Sequence, residues 1–410
     1  MTASVISIGD ELLIGQTVNT NASFIAAELN LAGIQVRSIL TIADDKDEIS
    51  NALQLASRQS GIVIITGGLG PTNDDITKNT LCEYFGSTLI LHKPSLENIR
   101  KLFYQRGIRI TTVNRNQAMV PHNCTVIKNT LGTAPGMWFQ KDNIHYFSLP
   151  GVPFEMKALM TGGIIPLLAK LNISAPIIHK TILTTGIGES ALAELISGWE
   201  NKLPSHIKLA YLPEPGIVKL RLSCYHAGSV ETKKAFNAEV KKLKKLIPDL
   251  IFGYNDDTLA AVTGKLLLEK HASIATAESC TGGLIAHQIT AVPGASGYFK
   301  GSVIAYDNDI KSKVLGVNKK LIEKHGAVSE EVVIAMAQNL KKIMGTDYAL
   351  AVSGIAGPAG GTPEKPVGTV WLACSTPEKT LTQKLSLGND RGRNITRASL
   401  AALNLLRKQL

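Results

Sequence analysis

The sequence lacks the features that mark secreted and membrane proteins. Its five cysteines are an odd number without CxxC spacing, which argues against both a disulfide framework and a zinc site. No apolar run approaches the roughly 20 residues that span a bilayer. The N-terminal stretch "MTASVISIGDELL" has no basic start, no long apolar segment and no small-residue cleavage site. We therefore expect no signal peptide, no membrane contact and a cytoplasmic location.

The composition is that of a globular chain with a basic excess. The 410 residues are 19% charged and 44% apolar, which predicts two or three domains that each bury a core. The net charge of +10 suits an anionic ligand such as a nucleotide, or weak nucleic-acid binding. Half of the excess lies in residues 170–250, which hold 12 basic and 7 acidic residues. In that region "KKLKKL" predicts a solvated amphipathic helix.

Strand and helix patterns alternate in two parts of the chain, residues 1–165 and 258–410. Apolar runs such as "GIVIITGG" are followed by glycine loops and then by helical patterns, which is typical of a doubly wound sheet. In the helical pattern "NASFIAAELNLAGI" we expect Asn21 as the cap and an apolar face of Phe24, Ala27 and Leu31. The middle region predicts a small α+β domain, with "PDLIFGYNDDT" as the linker after it.

The N-terminal part places acids and glycines at strand ends. The segment "TGGLGPTNDDITK" follows a buried strand and opens a helix, so its glycines and free amides suit a phosphate. Carboxylates are suitable ligands for the accompanying cation. Ligands in open α/β sheets bind at the carboxyl ends of strands, so we expect a metal–phosphate site there. The alternative is that the glycines only turn the chain and the acids are solvated caps. The acids at these strand ends are Asp10, Glu11, Asp44, Asp45, Asp74 and Asp75.

The C-terminal part contains "AESCTGG", where a strand runs into a helix. Such a turn exposes one side chain, as a nucleophile elbow does, and its amides suit an oxyanion or a phosphate. Strand alternation points Ser279 and Cys280 to opposite sides, so only one faces the pocket. A serine needs a base, whereas a thiol at a helix start needs less help. The residues alone divide the choice about evenly, with Thr281 third as a phosphate-binding or capping hydroxyl.

Lysine is a better candidate base than histidine. His271 precedes the strand, His287 lies well along a helix, and His325 is expected at a helix C-terminus. Lys311 follows the strand-end Tyr306 by five residues and opens a helix. A desolvated lysine loses proton affinity and can act as a base. Spacing does not exclude Lys313 from that role. Two further anion-binding candidates are the glycine-proline loop 353–368 and the arginines Arg391 and Arg393, which open the last helix.

These motifs also carry a family resemblance. "GGLGPTNDD" resembles the molybdopterin-binding fold shared by the MoaB and MogA proteins. Together with "GDELLIGQTVNTN", "NTLGTAPG", "LPGVPFEM", "AESCTGG", "SVIAYDNDIK" and "GNDR", it resembles the CinA family of competence/damage-inducible proteins over the whole chain. The resemblance implies a doubly wound α/β MoaB/MogA-like domain over 1–168. It implies a KH-like α+β domain over 169–252 and a separate α/β nicotinamide mononucleotide (NMN) deamidase domain over 253–410.

For the first domain, the resemblance implies an ADP-ribose pyrophosphatase that uses a divalent metal, Mg²⁺ or similar. Lys78 could neutralise part of the charge on the departing phosphate. Ala43 stands where the family pattern leads us to expect glycine, next to Asp44. By motif, the phosphate-binding and site-lining residues would be Gly67, Gly68, Gly70, Thr72, Gly151 and Glu155, and the metal-binding residues would be Asp10, Glu11, Asp44, Asp74 and Asp75.

For the last domain, the resemblance implies hydrolysis of NMN to nicotinic acid mononucleotide and ammonia without a cofactor. Ser279 would be the nucleophile, Lys311 the base and Tyr306 an assisting hydroxyl. The NMN-binding residues would be Thr281, Gly282, Gly283, Ser353, Gly354, Ile355, Ala356 and Arg391.

Two expectations concern partners and an alternative function. The KH-like region reads "TGIGES" and has no GxxG, the loop with which KH domains bind RNA. We therefore expect spacing and homodimerisation there in preference to nucleic-acid binding. The alternative to a two-activity enzyme is a regulatory protein, linked to competence, that binds a nucleotide or pterin at the N-terminal site without turnover.

Overall fold

The structure is a computed structural model that describes residues 1–72, 75–105, 107, 109–171, 177–225 and 227–410. The chain divides into two compact units, residues 1–178 with 224–234, and residues 179–223 with 235–410. All five cysteines are free. In the described ranges, no helix combines the length and the apolar character needed to cross a bilayer.

The first unit is built on one large sheet. Its strands are β1 (Thr2–Ile8), β2 (Gln35–Ile42), β3 (Ile62–Thr66), β4 (Leu89–Leu91), β5 (Met119–Pro121), β6 (Thr125–Ile127), β7 (Gly136–Lys141) and β8 (Ile144–Leu149). The main sheet has the order β2–β1–β3–β8–β7–β6, and β4 pairs separately with β5. Strands β1, β2, β3 and β8 run parallel, while β6 and β7 are antiparallel. Because β3 is buried throughout, its run of β-branched residues fits the centre of the sheet.

Helices cover both faces of this sheet. They are α1 (Asp10–Leu13), α2 (Thr20–Leu31), α3 (Lys46–Gln59), α4 (Thr77–Tyr84), α5 (Lys93–Gln105), α6 (Thr112–Asn116), α7 (Pro153–Leu159) and α8 (Ile165–Lys170), with a π-helical turn at Met160–Ile164. One core packs α2, α7 and α8 against β1, and the other packs α3 and α4 on the opposite face. The doubly wound prediction is confirmed.

The predicted start of α2 is wrong by two residues. Asn19 is the cap, and its side chain accepts a hydrogen bond of 3.1 Å from the Ala22 amide. The buried face consists of Ala22, Ile25 and Leu29, whereas Leu31 is 75% exposed. The predicted set and the buried set are both apolar residues at helical spacing. Packing against the sheet therefore decides which of the two sets is buried.

The second unit contains two sheets. The smaller has β9 (Ile178–Thr185), β10 (Ile207–Glu214), β11 (Ile217–Cys224) and β12 (Ile251–Tyr254), in the order β10–β11–β9–β12, with helices α9 (Glu189–Glu200) and α10 (Val230–Leu246). The segment predicted as a linker is therefore wrong, because β12 pairs antiparallel with β9. Phe252 of β12 is buried in the same core as Leu259 and Leu183. The amphipathic helix predicted from "KKLKKL" is confirmed, since Leu243 is buried and the lysines around it are exposed.

The larger sheet has β13 (Ile274–Glu278), β14 (Phe299–Ile304), β15 (Tyr348–Gly354), β16 (Thr369–Ser375) and β17 (Thr380–Ser386), in the order β14–β13–β15–β16–β17. Its helices are α11 (Leu259–Glu269), α12 (Leu284–Thr290), α13 (Asn308–Lys313), α14 (Lys319–His325), α15 (Glu330–Met344) and α16 (Arg391–Arg407), with a 3₁₀ turn at Ala295–Gly297. Strand β13 runs parallel to β14 and β15. The carboxyl ends of these three strands therefore lie at one edge, and Ser279 and Tyr306 follow two of them.

Candidate active sites

The turn after β13 is held in place from several directions. The Ser279 amide donates to the Val352 carbonyl of β15 at 3.0 Å. Gly282 and Gly283 adopt φ of 61° and 98°, in the left-handed region that favours glycine. These two conformations let the chain reverse into α12 immediately after Ser279. The Ser279 side chain is buried, as a nucleophile shielded from bulk water would be.

Glu278, which sequence reasoning missed, anchors this turn. Its fully buried carboxylate accepts hydrogen bonds from the amides of Gly283, Ile285 and Ala286 at 3.1, 3.0 and 2.8 Å. The negative charge at the start of α12 thus comes from the chain itself. The expectation that the Gly283 amide is open to a ligand is therefore wrong. An acid placed just before a glycine-rich helix start was the signal for this role.

Three groups at the turn remain available. The Thr281 amide donates to no group within the described ranges, and the Cys280 amide contacts only the thiol of its own residue. The Thr281 hydroxyl is also buried and lacks a hydrogen-bond partner in that part of the chain. Because buried polar groups in proteins are normally satisfied, this hydroxyl is a candidate contact for a ligand atom. The turn can thus supply three donors to an oxyanion or a substrate.

Lys311 is buried beside this turn. Only 1% of the residue is exposed, and its ammonium donates to the Tyr306 carbonyl at 3.2 Å. Burial lowers the pKa of Lys311, with Asp307 and Cys280 opposing the shift. Tyr306 follows β14, which pairs with β13, so the amine lies near the end of the strand next to the one that leads into the turn. Lys313, the alternative base, is exposed and bonds to Asp309 at 2.7 Å.

Cys280 is a packing residue. Burial raises the pKa of its thiol to about 12, so the reactive thiolate does not form near neutral pH. A Cβ atom at Gly354 would come within 3.0 Å of the Cys280 sulfur and 2.6 Å of Val370 Cγ2. Gly354 is thus a glycine because the thiol and Val370 occupy that space. Together these contacts favour Ser279 over Cys280 as the nucleophile.

Tyr306 and Arg391 form a pair at the mouth of this site. Arg391 Nη2 donates to the Tyr306 hydroxyl at 3.1 Å, and Nη1 donates to the Gly357 carbonyl at 2.8 Å. Asp390 caps α16 by accepting from the Arg393 amide, so Arg391 is the first residue of the helix, as predicted. Tyr306 is 60% exposed. Its hydroxyl accepts from Arg391, and within the described residues it bonds to neither Ser279 nor Lys311.

The end of β15 offers fewer ligand groups than the sequence suggested. The Ser353 hydroxyl donates to the Ala327 carbonyl at 2.7 Å, and the Ile355 amide donates to the Thr369 carbonyl at 2.9 Å. The Ala356 carbonyl accepts from Asn394 at 3.0 Å. These groups are used by the fold, so the expectation of open donors at Ser353 and Ile355 is wrong. These bonds instead fix the backbone on either side of Gly354.

The three histidines are placed as predicted. His271 follows α11 before β13 begins, and His287 is exposed in the last turn of α12. His325 ends α14 and contacts Glu331 at 3.0 Å. Lysine thus remains the candidate base of this site.

In the first unit, β1 and β2 end at a group of acids. The Asp10 amide donates to Asp44 Oδ2 at 3.3 Å, and the Asp44 amide donates to Asp10 Oδ1 at 3.4 Å. The pKa of Asp44 is raised by burial and by the charges of Asp10, Glu11 and Asp75, against a lowering by the Asp10 amide. Crowded carboxylates of this kind fit a cation, although no set of three or more His, Cys, Asp or Glu in the described part is arranged to hold one. Asp74 lies outside the described residues.

The glycine loop after β3 is closed by its own acid. Asp75 accepts from the Gly70 amide at 2.8 Å, and from the Thr72 amide and hydroxyl at 2.9 and 2.5 Å. The Gly67 amide donates to the Leu149 carbonyl at 3.1 Å. In this conformation the donors expected to hold phosphate at Gly67, Gly70 and Thr72 are therefore occupied. Asp75 serves as a loop anchor here.

Close approaches explain the glycines of this loop. A Cβ atom at Gly67 would lie 2.1 Å from the Ile8 carbonyl oxygen, and one at Gly68 would lie 2.1 Å from the Thr77 hydroxyl. The Thr77 hydroxyl is buried without a partner in the described part, which sequence reasoning did not anticipate. It lies near Asp44, whose Oδ1 would be 3.3 Å from the same Cβ position. Thr77 thus adds an open oxygen beside the acids.

Gly151, Glu155 and Lys78 lie around this edge. Gly151 lines a cavity of about 120 Å³ with Glu11 and Asn21, and its carbonyl accepts from Asn21 at 2.7 Å. Glu155 is not among the residues lining that cavity, and it accepts from Asn129 at 2.6 Å. Lys78 donates to the Asn116 carbonyl at 3.0 Å, and burial lowers the pKa of its ammonium. Gly151 therefore faces the cavity that Glu11 lines, whereas Glu155 bonds to Asn129.

Comparison with known families defines the class. Residues 4–170 match the family model described as a probable molybdopterin binding domain, residues 179–253 match the KH domain of damage-inducible protein CinA, and residues 256–410 match the CinA C-terminal domain. The protein is thus a MoaB/MogA-like α/β domain joined to a KH-like domain and a second α/β domain.

Its relatives are similar over the full length. A CinA-like protein of Cytophaga hutchinsonii is 47% identical, with 100% of this chain and 98% of that protein covered. A CinA-like protein of Flavobacterium psychrophilum is 48% identical, covering 100% and 99%. The crystal structure of competence/damage inducible protein CihA from Agrobacterium tumefaciens is 35% identical over 36% of this chain and 91% of its own, with a TM-score of 0.36. The chain belongs to the CinA family.

Proposed function

We propose that the second unit hydrolyses the carboxamide of NMN, giving nicotinic acid mononucleotide and ammonia. The observation that carries this proposal is the buried Lys311, which bonds to the Tyr306 carbonyl after β14, the strand next to the one that presents Ser279. Burial lowers the pKa of Lys311, as a base requires. A base and a nucleophile at one strand edge suit acyl transfer, and such chemistry needs no redox partner.

The proposed mechanism has two halves. Ser279 Oγ attacks the carboxamide carbon while its proton passes to Lys311, and the oxyanion accepts from the Cys280 and Thr281 amides. The C–N bond then breaks, Lys311 returns the proton, and ammonia leaves an acyl-enzyme. Water next attacks the acyl carbon, its proton passing through Lys311 to Ser279 as the Ser279 ester bond breaks. Arg391 is suited to the phosphate of the substrate through the N–H groups that its bonds to Gly357 and Tyr306 leave free.

Ammonia release from NMN tests this proposal. Ser279→Ala should reduce the rate by several orders of magnitude, whereas Cys280→Ala should retain most of it. Thermal unfolding of both variants checks that they fold. Activity that survives in Ser279→Ala and disappears in a folded Cys280→Ala would sink the serine mechanism.

We also propose that the first unit cleaves the pyrophosphate of ADP-ribose with a divalent metal. The crowded acids around Asp44 support this proposal. Asp10, Asp44 and the Thr77 hydroxyl would contribute oxygens to the cation, which when bound would polarise water and neutralise phosphate charge. Hydrolysis should stop with chelator and return with added Mg²⁺. Chelator-insensitive hydrolysis by a metal-stripped sample would contradict the proposal.

A second candidate for this unit is nucleotide or pterin binding without turnover. The occupied donors of Gly70 and Thr72 favour it, since they leave fewer groups for a transferred phosphate. Saturable binding of ADP-ribose with no hydrolysis at any metal tested would select this function. We further propose that the protein is cytoplasmic and that it forms a homodimer. Light scattering of the purified chain tests the homodimer.

A further inference from the structure

The second unit contains a cavity that is distinct from the turn at Ser279. Its volume is about 590 Å³, within the range of small-molecule sites. The β9–α9 loop, the β10–β11 turn and the helix α16 with strand β17 form its walls. The Thr185 hydroxyl donates to the Gly216 carbonyl at 2.8 Å and so ties the first two walls together. A Cβ atom at Gly216 would lie 3.3 Å from Leu400 Cδ1, so this turn packs directly on α16.

One wall presents the start of α9. The cap position of this twelve-residue helix is Gly188, and no side chain caps it. In the described part, the amides of Glu189, Ser190 and Ala191 donate to no other group. The amides at the start of α12, by contrast, donate to Glu278, whereas the acid in the first turn of α9, Glu189, does not cap its helix. A helix start with open amides attracts a negative charge.

The facing wall adds two arginines and a buried amide. Arg393 and Arg397 stand one turn apart on α16 and line the cavity, and the described residues give neither guanidinium an ion-pair or hydrogen-bond partner. Asn404 is 92% buried and also lines the cavity. Its Oδ1 accepts from Arg407 at 3.0 Å, while its Nδ2 has no acceptor in the same part of the chain. A Cβ atom at Gly186, which also lines the cavity, would lie 3.9 Å from this Nδ2, so the amide group is on the cavity side of Asn404.

Acidic and apolar groups complete the lining. Glu214 is paired with Lys219, which leaves Glu189 as the carboxylate without an ion pair among the lining residues that the structure describes. The apolar part of the wall comprises Ile217, Leu385, Leu387 and Ala401. A free phosphate would fill a small share of this volume. The cavity thus suits a molecule with an anionic end and an apolar, ring-sized remainder.

We propose that this cavity binds a phosphorylated small molecule of nucleotide size. Its phosphate would lie between Arg393, Arg397 and the start of α9, with Nδ2 of Asn404 as a further donor. Its apolar portion would pack on the apolar side chains that line the cavity, which include Leu385 and Leu387. Two guanidiniums and a helix start together form a phosphate site of the kind that nucleotide-binding proteins use.

Hydrogen–deuterium exchange on the full-length protein, with N-methylanthraniloyl-ADP as the probe, tests the proposal. The probe should protect residues 186–191 and 393–397 in a saturable way. In the double variant Arg393→Ala/Arg397→Ala, the probe concentration that gives half-maximal protection should rise about tenfold or more. The reason is that charge-assisted hydrogen bonds to the phosphate are lost. The matched control Arg58→Ala, an exposed arginine of the first unit, should behave as wild type.

Additional arms make the outcomes decisive. If the double variant unfolds, the single charge reversal Arg397→Glu replaces it and should weaken protection equally or more. Excess inorganic pyrophosphate should displace the probe, whereas adenosine should not. The proposal is overturned if neither segment is protected at a saturating concentration of the probe. It is also overturned if protection is unchanged in the arginine variants. Displacement by adenosine alone overturns the anionic assignment.

A consequence links this cavity to the site at Ser279. Arg391, which holds Tyr306, precedes Arg393 on the same first turn of α16. Binding at Arg393 should therefore change the KM for NMN, a consequence that rests on the proposed amidase function. The exchange measurement reads binding directly, so a failure of the amidase proposal leaves that measurement interpretable.

Discussion

Lys311 is the buried candidate base, and if it acts as one its titration should appear in the rate of the reaction. Burial lowers its pKa below the ordinary value of 10.5, so the neutral amine becomes available at lower pH than for an exposed lysine. We predict that kcat/KM for NMN rises with pH and levels off below 10.5. A pH–rate profile measures this. A rate that falls as pH rises through neutrality would contradict a lysine base.

The same burial predicts a cost in stability. Between the lowered pKa of folded Lys311 and that of the unfolded chain, the unfolded state binds more protons, so stability rises with pH through this window. Lys311→Met keeps the shape without the buried charge. We predict loss of ammonia release together with a free energy of unfolding higher by about 1 kcal/mol at neutral pH. Chemical denaturation measures this, with the exposed Lys313→Met as the control. A clear loss of stability in Lys311→Met would show that the amine is structural.

Thr281 offers a second test at the residue scale. Its buried hydroxyl has no partner in the described part, so Thr281→Val should leave the unfolding midpoint unchanged or higher. We predict that the KM for NMN rises about five- to tenfold, since a hydrogen bond to the ligand is lost. The control is Thr276→Val, whose hydroxyl bonds to Ser302 at 2.8 Å and whose loss should lower the midpoint. An unchanged KM in Thr281→Val would remove Thr281 from the binding site.

At the scale of elements, Glu278 holds the start of α12. Glu278→Gln replaces an acceptor of three amides with a group that also donates, so we predict a loss of about 2 kcal/mol or more in unfolding free energy. Because the displaced turn carries Ser279, kcat should fall more than KM rises. The matched control is Asp347→Asn, an exposed carboxylate that accepts from the Ser273 amide and hydroxyl. If the two variants lost the same unfolding free energy and the same kcat, Glu278 would have no special role in placing the turn.

Whether a segment forms a helix or a strand was predictable where a single hydrophobic period dominates its sequence. The buried run of β3 and the amphipathic α15 follow from their patterns, because a single arrangement buries each apolar set. The cap of α2 was not, because Asn19 and Asn21 have the same capping chemistry. Strand β12 was missed because a four-residue strand between turn residues has the composition of a linker. Glu278 was missed because its three donors become neighbours only when α12 forms.

Candidate residues were easier to find than their partners. Sequence spacing brought Ser279, Lys311 and Tyr306 to neighbouring strand ends, and the parallel order of β14, β13 and β15 places those ends at one edge. The Ser353 hydroxyl and the Asp75 carboxylate, in contrast, were expected to face ligands and are bonded within the fold. A side chain's competing partners depend on tertiary contacts, which a strand-and-helix pattern does not contain.

At the scale of the whole molecule, the two proposed activities use residues from different compact units. Ser279, Lys311 and Arg391 belong to one, while Asp10 and Asp44 belong to the other. Since each unit has its own core, the loss of a single side chain in one should leave the chemistry of the other intact.

We predict that full-length Ser279→Ala loses ammonia release from NMN but keeps chelator-sensitive ADP-ribose cleavage, and that Asp44→Asn has the opposite effect. Replacing Asp44 removes a carboxylate from the crowded acids, so the concentration of Mg²⁺ needed for half-maximal cleavage should rise about tenfold or more. Both assays are run on the same preparations, with matched unfolding curves. If Asp44→Asn also abolished ammonia release without unfolding, the two units would act as one catalytic system. If Asp44→Asn left both activities and the Mg²⁺ requirement unchanged, the acids around β1 and β2 would have no role in turnover.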